Sequence, residues 1–588
     1  MLFSMMKRLL LLCLVGLLAV STLASCGQGG DPEDSDSETA LESETETETE
    51  TESETAAPAE TEPIVSEVFL FAGSMITGVI DRTASEYEIP ETVTAIDDEA
   101  FKDCVNLASI AIPDSVTEIG ENAFEGCTSL KKVTLPSSLE EISEGLFKGC
   151  SSLAELRIPD TVILLYPSAF EGCDALFVKE NGLTYVDRWV LDCDTDVEEV
   201  LWREGTIGLA NSSFEGCAKL TSIVIPDTVK HVGFYVFDGC TSVVEASGPA
   251  SVVCNLPKAK LQRVTVTSGT TIEQYSFQGC ANLESVTLAD TVVKIDEMAF
   301  GGCKSLTELT LPNSVTTLGI SAFQGCTALQ TLHLSENLTA IPMAAFAGCS
   351  ALTAMAIPAS VQTIAIQAFM GCNNLIERVD DVDYVDTWAI GGKNRIESVV
   401  LREGTVGVAD EAFKEQKRLR TLVMSDTLLY IGNYSFEECG NLQSVTVSPV
   451  LKRIAFRSFH GCGALTSMTL PDTIETVKLE SFTSSLLLRK TMYHATYVDR
   501  WVVSCANDKD FTVLLASTVG IGPNAFGETS ALEIVYYEGT KEEFDAIRID
   551  SAGNGVLSRV TIAFLSEEEP TGEGSYWHYV SGIPTLWE

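Results

Sequence analysis

Thirteen of the eighteen cysteines stand three residues after a phenylalanine, in units such as Phe124-Glu125-Gly126-Cys127, Phe147-Lys148-Gly149-Cys150 and Phe300-Gly301-Gly302-Cys303. A thiol can ligate zinc, pair as a disulfide, carry redox chemistry, or fill a core as a small apolar group. Zinc sites draw on cysteines two to four residues apart or mixed with histidines. Here no two cysteines lie closer than 13 residues. Stacked coils would bring cysteine α-carbons to about 5 Å, within disulfide reach, yet stacked side chains point the same way. The slot also accepts Gln416 and Ser485. A ligand set does not tolerate such replacements and a packing slot does, so buried free thiols are the expectation.

The remaining reactive side chains form no set. His231, His333, His460, His494 and His578 are scattered, and only His460-Gly461-Cys462 puts an imidazole near a thiol. That histidine slot holds Gln324, Ala347 and Glu437 elsewhere, which argues against a nucleophile–base pair. Asp114, Asp160, Asp227 and Asp472 recur after a proline and could suggest a calcium ladder; Ser137, Asn313 and Ala359 replace them, favouring a turn-forming role. Three copies of Tyr-Val-Asp-x-Trp place a carboxylate beside two aromatics. Their rings, Tyr185, Trp189, Tyr384, Trp388, Tyr497 and Trp501, could stack on sugars as ligand contacts, or could pack a wider coil. With no coherent acid, base, nucleophile or metal set, no catalytic residue, metal or cofactor is expected, and the chain does not read as an enzyme.

The elements that must carry these residues repeat. Phe101, Phe124, Phe147 and Phe170 are spaced by 23, as are Phe277, Phe300, Phe323, Phe346 and Phe369, and then Phe413, Phe436, Phe459 and Phe482. Around them the unit reads L-x-x-[IVL]-x-[IVL]-P-x-[ST]-[VL]-x-x-[IL]-x-x-x-[AS]-F-x-G-C. Its L-x-x-L-x-L part and its period fit a leucine-rich repeat. Val133-Thr134-Leu135 alternates as a strand, Pro136 ends the ladder, and Gly126 suits a left-handed closing position after one helical turn. Each coil leaves an apolar face that only the next coil can cover. Phe170 to Phe214, Phe369 to Phe413 and Phe482 to Phe526 are each 44 apart and hold the three Tyr-Val-Asp-x-Trp inserts; Phe237 to Phe277 is an unlike gap of 40.

Charge and the N-terminus set the context. Of 588 residues 84 are acidic and 37 basic, a net charge of −47, which repels phosphate backbones and excludes nucleic acid as a natural partner. Lys7 and Arg8 precede the apolar run Leu9–Val20, too short to span a bilayer as a mature helix, which reads as a signal peptide. It ends in Leu23-Ala24-Ser25-Cys26, similar to a bacterial lipobox, so Cys26 is the expected lipidation site and the lipid the only membrane contact. Residues 31–62 hold 14 acidic and no basic side chains and read as a disordered tether.

The recurring IP-[DNSA]-[ST]-V and I-x-x-x-A-F-x-G-C resemble the BspA-like leucine-rich repeat family of bacterial surface proteins over about residues 90–530. The tail, with Val535–Phe544 (VYYEGTKEEF) and Trp577–Val580 (WHYV), is similar to the terminal segment of such proteins. The resemblance implies an exported protein displayed at the outer face of the bacterial membrane or cell surface. It also implies binding of an extracellular protein or glycan in adhesion. Glycan capture through the insert aromatics and an envelope spacer without a ligand are the alternatives. The expected architecture is an α/β right-handed solenoid of about 20 coils with a parallel β-sheet on one face and short helical turns opposite. Its expected divisions are a leader at 1–25, lipidated Cys26 and tether at 26–63, a solenoid with its N-terminal cap at 64–530, and a C-terminal cap and tail at 531–588. A monomer is expected.

Overall fold

Alternation within three residues starts each coil. Ser109–Ala111, Lys132–Thr134 and Glu155–Arg157 are strands whose middle residue points inward and whose outer two face solvent. They pair in parallel with Ile110, Val133 and Leu156 in register, one repeat apart. A second parallel ladder follows the proline: Ala95–Ile96 pairs with Glu118–Ile119, and Glu141–Ile142 with Leu164–Leu165. The computed structural model describes residues 68–587 apart from 490, 507, 528–530 and 572. The leader, the acidic segment and Cys26 therefore lie outside the described residues.

The third side of the coil is not a helical turn. Phe101 N–H donates to Ala123 O at 2.8 Å, Asp103 to Glu125 O at 2.7 Å, and Phe124 to Leu146 O at 2.9 Å, all on the next coil. The intervening groups close locally, as Lys102 N does on Glu99 O at 3.1 Å. The expected helical turn is thus a tight turn whose alternate N–H groups leave the coil. A left-handed residue at each end makes this possible. Asn122, Ser212, Tyr235, Ser321 and Tyr434 hold φ between 55° and 58°, and Gly126 closes its turn at φ 75°. The closing glycine follows the expectation; the opening position, filled by ordinary residues at a steric cost, does not show in sequence. Among the described residues α-helix is confined to Ala250–Val253 and Lys541–Asp545. The first lies in the irregular gap, between two strands, Glu245–Gly248 and Arg263–Val266, that continue the parallel ladder.

Each 44-residue interval contains an antiparallel meander rather than a widened coil. Val178–Glu180, Leu183–Val186 and Trp189–Cys193 pair antiparallel, and the last then pairs in parallel with Gly208–Leu209. The other two copies repeat this with Trp388–Gly392 beside Gly407–Val408 and Trp501–Cys505 beside Gly520–Ile521. In the first, Asn181 and Gly182 both have positive φ, as a type I′ hairpin turn requires. At the start of the array the hairpin Phe69–Ala72 with Met75–Val79 supplies the first ladder strand. At the other end Phe511–Leu514, Ile534–Tyr537 and Thr561–Leu565 continue in parallel past residue 530, and Tyr576–Val580 with Ile583–Leu586 closes the edge as a hairpin.

Inside, the phenylalanines form files. Phe101 and Phe124 stack at 4.9 Å between centroids, Phe300 and Phe323 at 5.3 Å, and Phe436 and Phe459 at 5.3 Å, all fully buried. Near-parallel rings at such spacings lie in the favourable offset range.

Candidate functional site

The thiol files are enclosed, and most of their thiols have a polar task. Cys127 Sγ donates to Phe101 O at 3.1 Å, Cys150 to Phe124 O at 3.1 Å, Cys326 to Phe300 O at 3.1 Å and Cys372 to Phe346 O at 3.0 Å. Phe101 O also receives Cys104 N–H at 3.2 Å, so the thiol fills the second lone pair of a buried carbonyl. The described cysteines are free, and all but Cys254 are buried. Burial pushes Cys173 and Cys280 up to about 11 and Cys372 up to about 12, so each remains a protonated thiol at neutral pH. Cys462 likewise turns to Phe436 O at 3.3 Å rather than to His460. Among the described residues no group of three or more histidines, cysteines and carboxylates could hold a metal ion.

The recurrent aspartates work between coils. Asp114 Oδ1 accepts Ser137 N–H of the next coil at 2.7 Å, and Asn313 accepts that of Glu336 at 3.0 Å. The expected local turn is thus replaced by a staple across one repeat. Before two of the inserts the same slot does something else: Asp160 pairs with Arg188, and Asp472 with Arg500 at 2.5 Å.

All six insert aromatics are interior. Tyr185 and Trp189 are 0% exposed, Tyr384 and Trp388 1%, Tyr497 3% and Trp501 2%. An enclosed ring has no face to offer a sugar, so the stacking-platform expectation gives way to packing. Successive residues of the meander face opposite ways. Val186, Trp189 and Leu191 join the apolar core of the preceding coils, whereas Leu183, Tyr185 and Val190 join that of the following ones. The second copy divides in the same manner, Trp388 with the earlier core and Tyr384 with the later.

Each letter of the motif has a contact. The tyrosine hydroxyl accepts a backbone N–H eighteen residues on: Arg203 to Tyr185 at 3.1 Å, Arg402 to Tyr384 at 3.0 Å, Leu515 to Tyr497 at 3.0 Å. The aspartate accepts the strand-end N–H of the coil before: Ile158 to Asp187 at 3.0 Å, Ile357 to Asp386 at 2.8 Å, Leu470 to Asp499 at 2.9 Å. In an ordinary coil that N–H finds the next coil's carbonyl, as Ile112 finds Thr134 O at 3.0 Å. The carboxylate replaces the carbonyl that the insert has displaced. The tryptophan lies against a glycine: a Cβ on Gly208, Gly407 or Gly520 would come within 2.5 Å of its ring. Beyond the glycine Trp189 stacks on His231 at 5.8 Å and Trp388 on Tyr430 at 6.4 Å. These glycines were legible as the thrice-repeated T-[IV]-G-[VIL] at Thr206, Thr405 and Thr518.

Solvent meets the outer residues of the strands, Thr134, Thr287, Thr310, His333 and Thr446 among them, all exposed. Lys132–Glu155 at 3.4 Å and Arg263–Glu245 at 2.8 Å cross neighbouring strands of this face.

A family model described as BspA type leucine rich repeat region matches in six copies over residues 82–180, 205–255, 253–376 and 389–502. Among solved structures the chain is similar to a leucine-rich cell surface protein from Faecalibacterium prausnitzii, at 21% identity, covering 81% of this chain and 94% of that one with a TM-score of 0.22. A leucine-rich repeat protein from Bacteroides ovatus matches at 20% identity over 83% and 98%, TM-score 0.22. Another from Eubacterium ventriosum matches at 18% over 73% and 96%, TM-score 0.17. No curated protein matches.

Proposed function

Because the chain belongs to the BspA-type leucine-rich repeat family, we propose that it is an exported, lipid-anchored scaffold that binds protein or glycan ligands along its coils in adhesion or cell–cell contact. The observation that carries this reading is the division of side chains. The repeat thiols, repeat phenylalanines and insert aromatics are committed to the interior, while one small hydroxyl-rich strand face is offered coil after coil. Repeated weak contacts gain strength by number, so binding should fall progressively with coils removed. The leader ending at Ala24-Ser25-Cys26 and the acidic stretch after it support display at a distance from the membrane. Among the described residues no helix is long and apolar enough to cross a membrane.

The test compares residues 64–588 with the same chain lacking 294–339, two repeat lengths, for adhesion to whole cells, extracellular matrix and a glycan array. A several-fold loss on deletion, against little change for Trp189→Phe, is the expected result. No binding by the intact ectodomain to any of the three would leave an envelope spacer as the better reading. For the anchor, Cys26→Ala should move the protein from the detergent to the aqueous phase; unchanged partition would refute lipidation.

A further inference from the structure

The three meanders carry equivalent hairpin turns, and the third departs from its siblings. The turn residues are Asn181-Gly182, Asp380-Asp381 and Tyr493-His494. All have positive φ, with Tyr493 at 47° and His494 at 73°. Asparagine, glycine and aspartate tolerate that conformation; a tyrosine there is costly and uncommon. The third turn is also fastened: Tyr493 O accepts from Val513 N at 3.2 Å and from Thr512 Oγ1 at 2.9 Å, and His494 Nδ1 contacts Phe511 O at 2.9 Å.

What this fastening presents is an exposed ring. Tyr493 is 41% exposed, and its ring centroid lies 6.3 Å from that of Tyr579, itself 39% exposed, on the terminal hairpin. The ring planes meet at 41°. Tyr579 Oη donates to Glu538 Oε1 at 3.0 Å, and Trp577 makes a T-shaped contact with Tyr579 at 4.8 Å. Partial burial, then Tyr493 and Glu538, push the Tyr579 phenol up, so it stays a donor, and donation to a carboxylate enriches its ring in electrons. Segments near 493, 538 and 579 thus converge on two fixed aromatic faces beside a negative charge.

We propose that Tyr493, Tyr579 and Glu538 form a site for an ammonium group, a lysine side chain of a protein partner. Aromatic faces attract cations, Glu538 complements the charge, and a chain of net charge −47 draws basic partners towards it. The two rings are tilted and form no flat shared platform for a sugar, whereas a compact cation needs only an exposed ring face beside the carboxylate. This site rests on the adhesive reading and gives it a partner chemistry.

The test titrates residues 64–588, with isotope-labelled tyrosines, against Nα-acetyl-lysine amide, using the neutral Nα,Nε-diacetyl-lysine amide as control at matched ionic strength. Saturable shifts of the Tyr493 and Tyr579 ring signals with the charged probe alone are expected in the millimolar range, weakened at least five-fold in Glu538→Gln and Tyr493→Asn. Asparagine is the residue this turn prefers, so Tyr493→Asn should keep or raise the melting temperature, and loss of binding cannot be put down to unfolding. Equal shifts with both probes, no saturation, or shifts that survive both substitutions would overturn the site. So would maltohexaose moving the same rings, which would make it a glycan platform. None of these outcomes alters the coil-deletion result, so the two readings fail separately.

Discussion

Gly407 shows how far a single residue in this array is determined by its neighbours. Its hydrogen occupies the space between the Gly407–Val408 strand and the Trp388 ring, where a Cβ would sit 2.5 Å from ring carbons. Gly407→Ala should therefore destabilise the protein by about 1–3 kcal/mol through overpacking, measured by urea unfolding. Gly391, on the same meander, has open space to 3.7 Å and no left-handed backbone. Gly391→Ala should instead gain about 0.5–1 kcal/mol from lost chain freedom. Equal effects at the two positions would remove the argument that the tryptophan sets the glycine. The cysteine file is the converse lesson. Its burial was legible from a small slot that accepts Gln416 and Ser485, but its hydrogen bond was not. The acceptor, Phe101 O for Cys127, lies 26 residues upstream and comes into reach only through register.

Elements were legible in proportion to how locally they are specified. The strand at Val133 announces itself by alternation and by Pro136, and the coil by its period of 23. The turn at Glu121–Cys127 reads as helical because its residues suit a helix; what makes it a ladder is that alternate N–H groups bond the next coil, a partner no local window contains. The meanders hid for another reason. Asn181-Gly182 is a plain hairpin signal, but Asp380-Asp381 and Tyr493-His494 in the sister copies obscure it. The aspartate of the motif is the residue that lets a meander interrupt the stack, because it alone meets the stranded N–H of the coil before. Asp386→Ala should leave Ile357 N–H without its 2.8 Å partner and cost about 1–3 kcal/mol. Hydrogen exchange would locate the effect: Ile357 should lose protection while distant coils such as that of Val133 keep theirs. Asp386→Asn, which still offers an oxygen and tolerates φ 51°, should restore most of it. Unchanged exchange at Ile357 in the alanine variant would show the carboxylate to be dispensable.

At the scale of the whole array, the meanders are walls with an apolar side facing each way. The core on one side ends on Trp189, Trp388 or Trp501, and the next begins on Tyr185, Tyr384 or Tyr497. Between walls, every coil is held by the one before it and no seam separates neighbours. If, as proposed, the chain grips a surface at one point and a cell at another, it is a rope under tension, knotted at intervals. Pulled from its two ends in an optical trap, it should lengthen in a few large jumps, each releasing the coils between two walls, with the pauses falling near residues 180–210, 380–410 and 490–520. A smooth plateau of one-coil steps would mean that the walls carry no mechanical weight. Such jumps would let a tethered cell give way in stages under flow, absorbing work at each one, and recover its grip when the load drops.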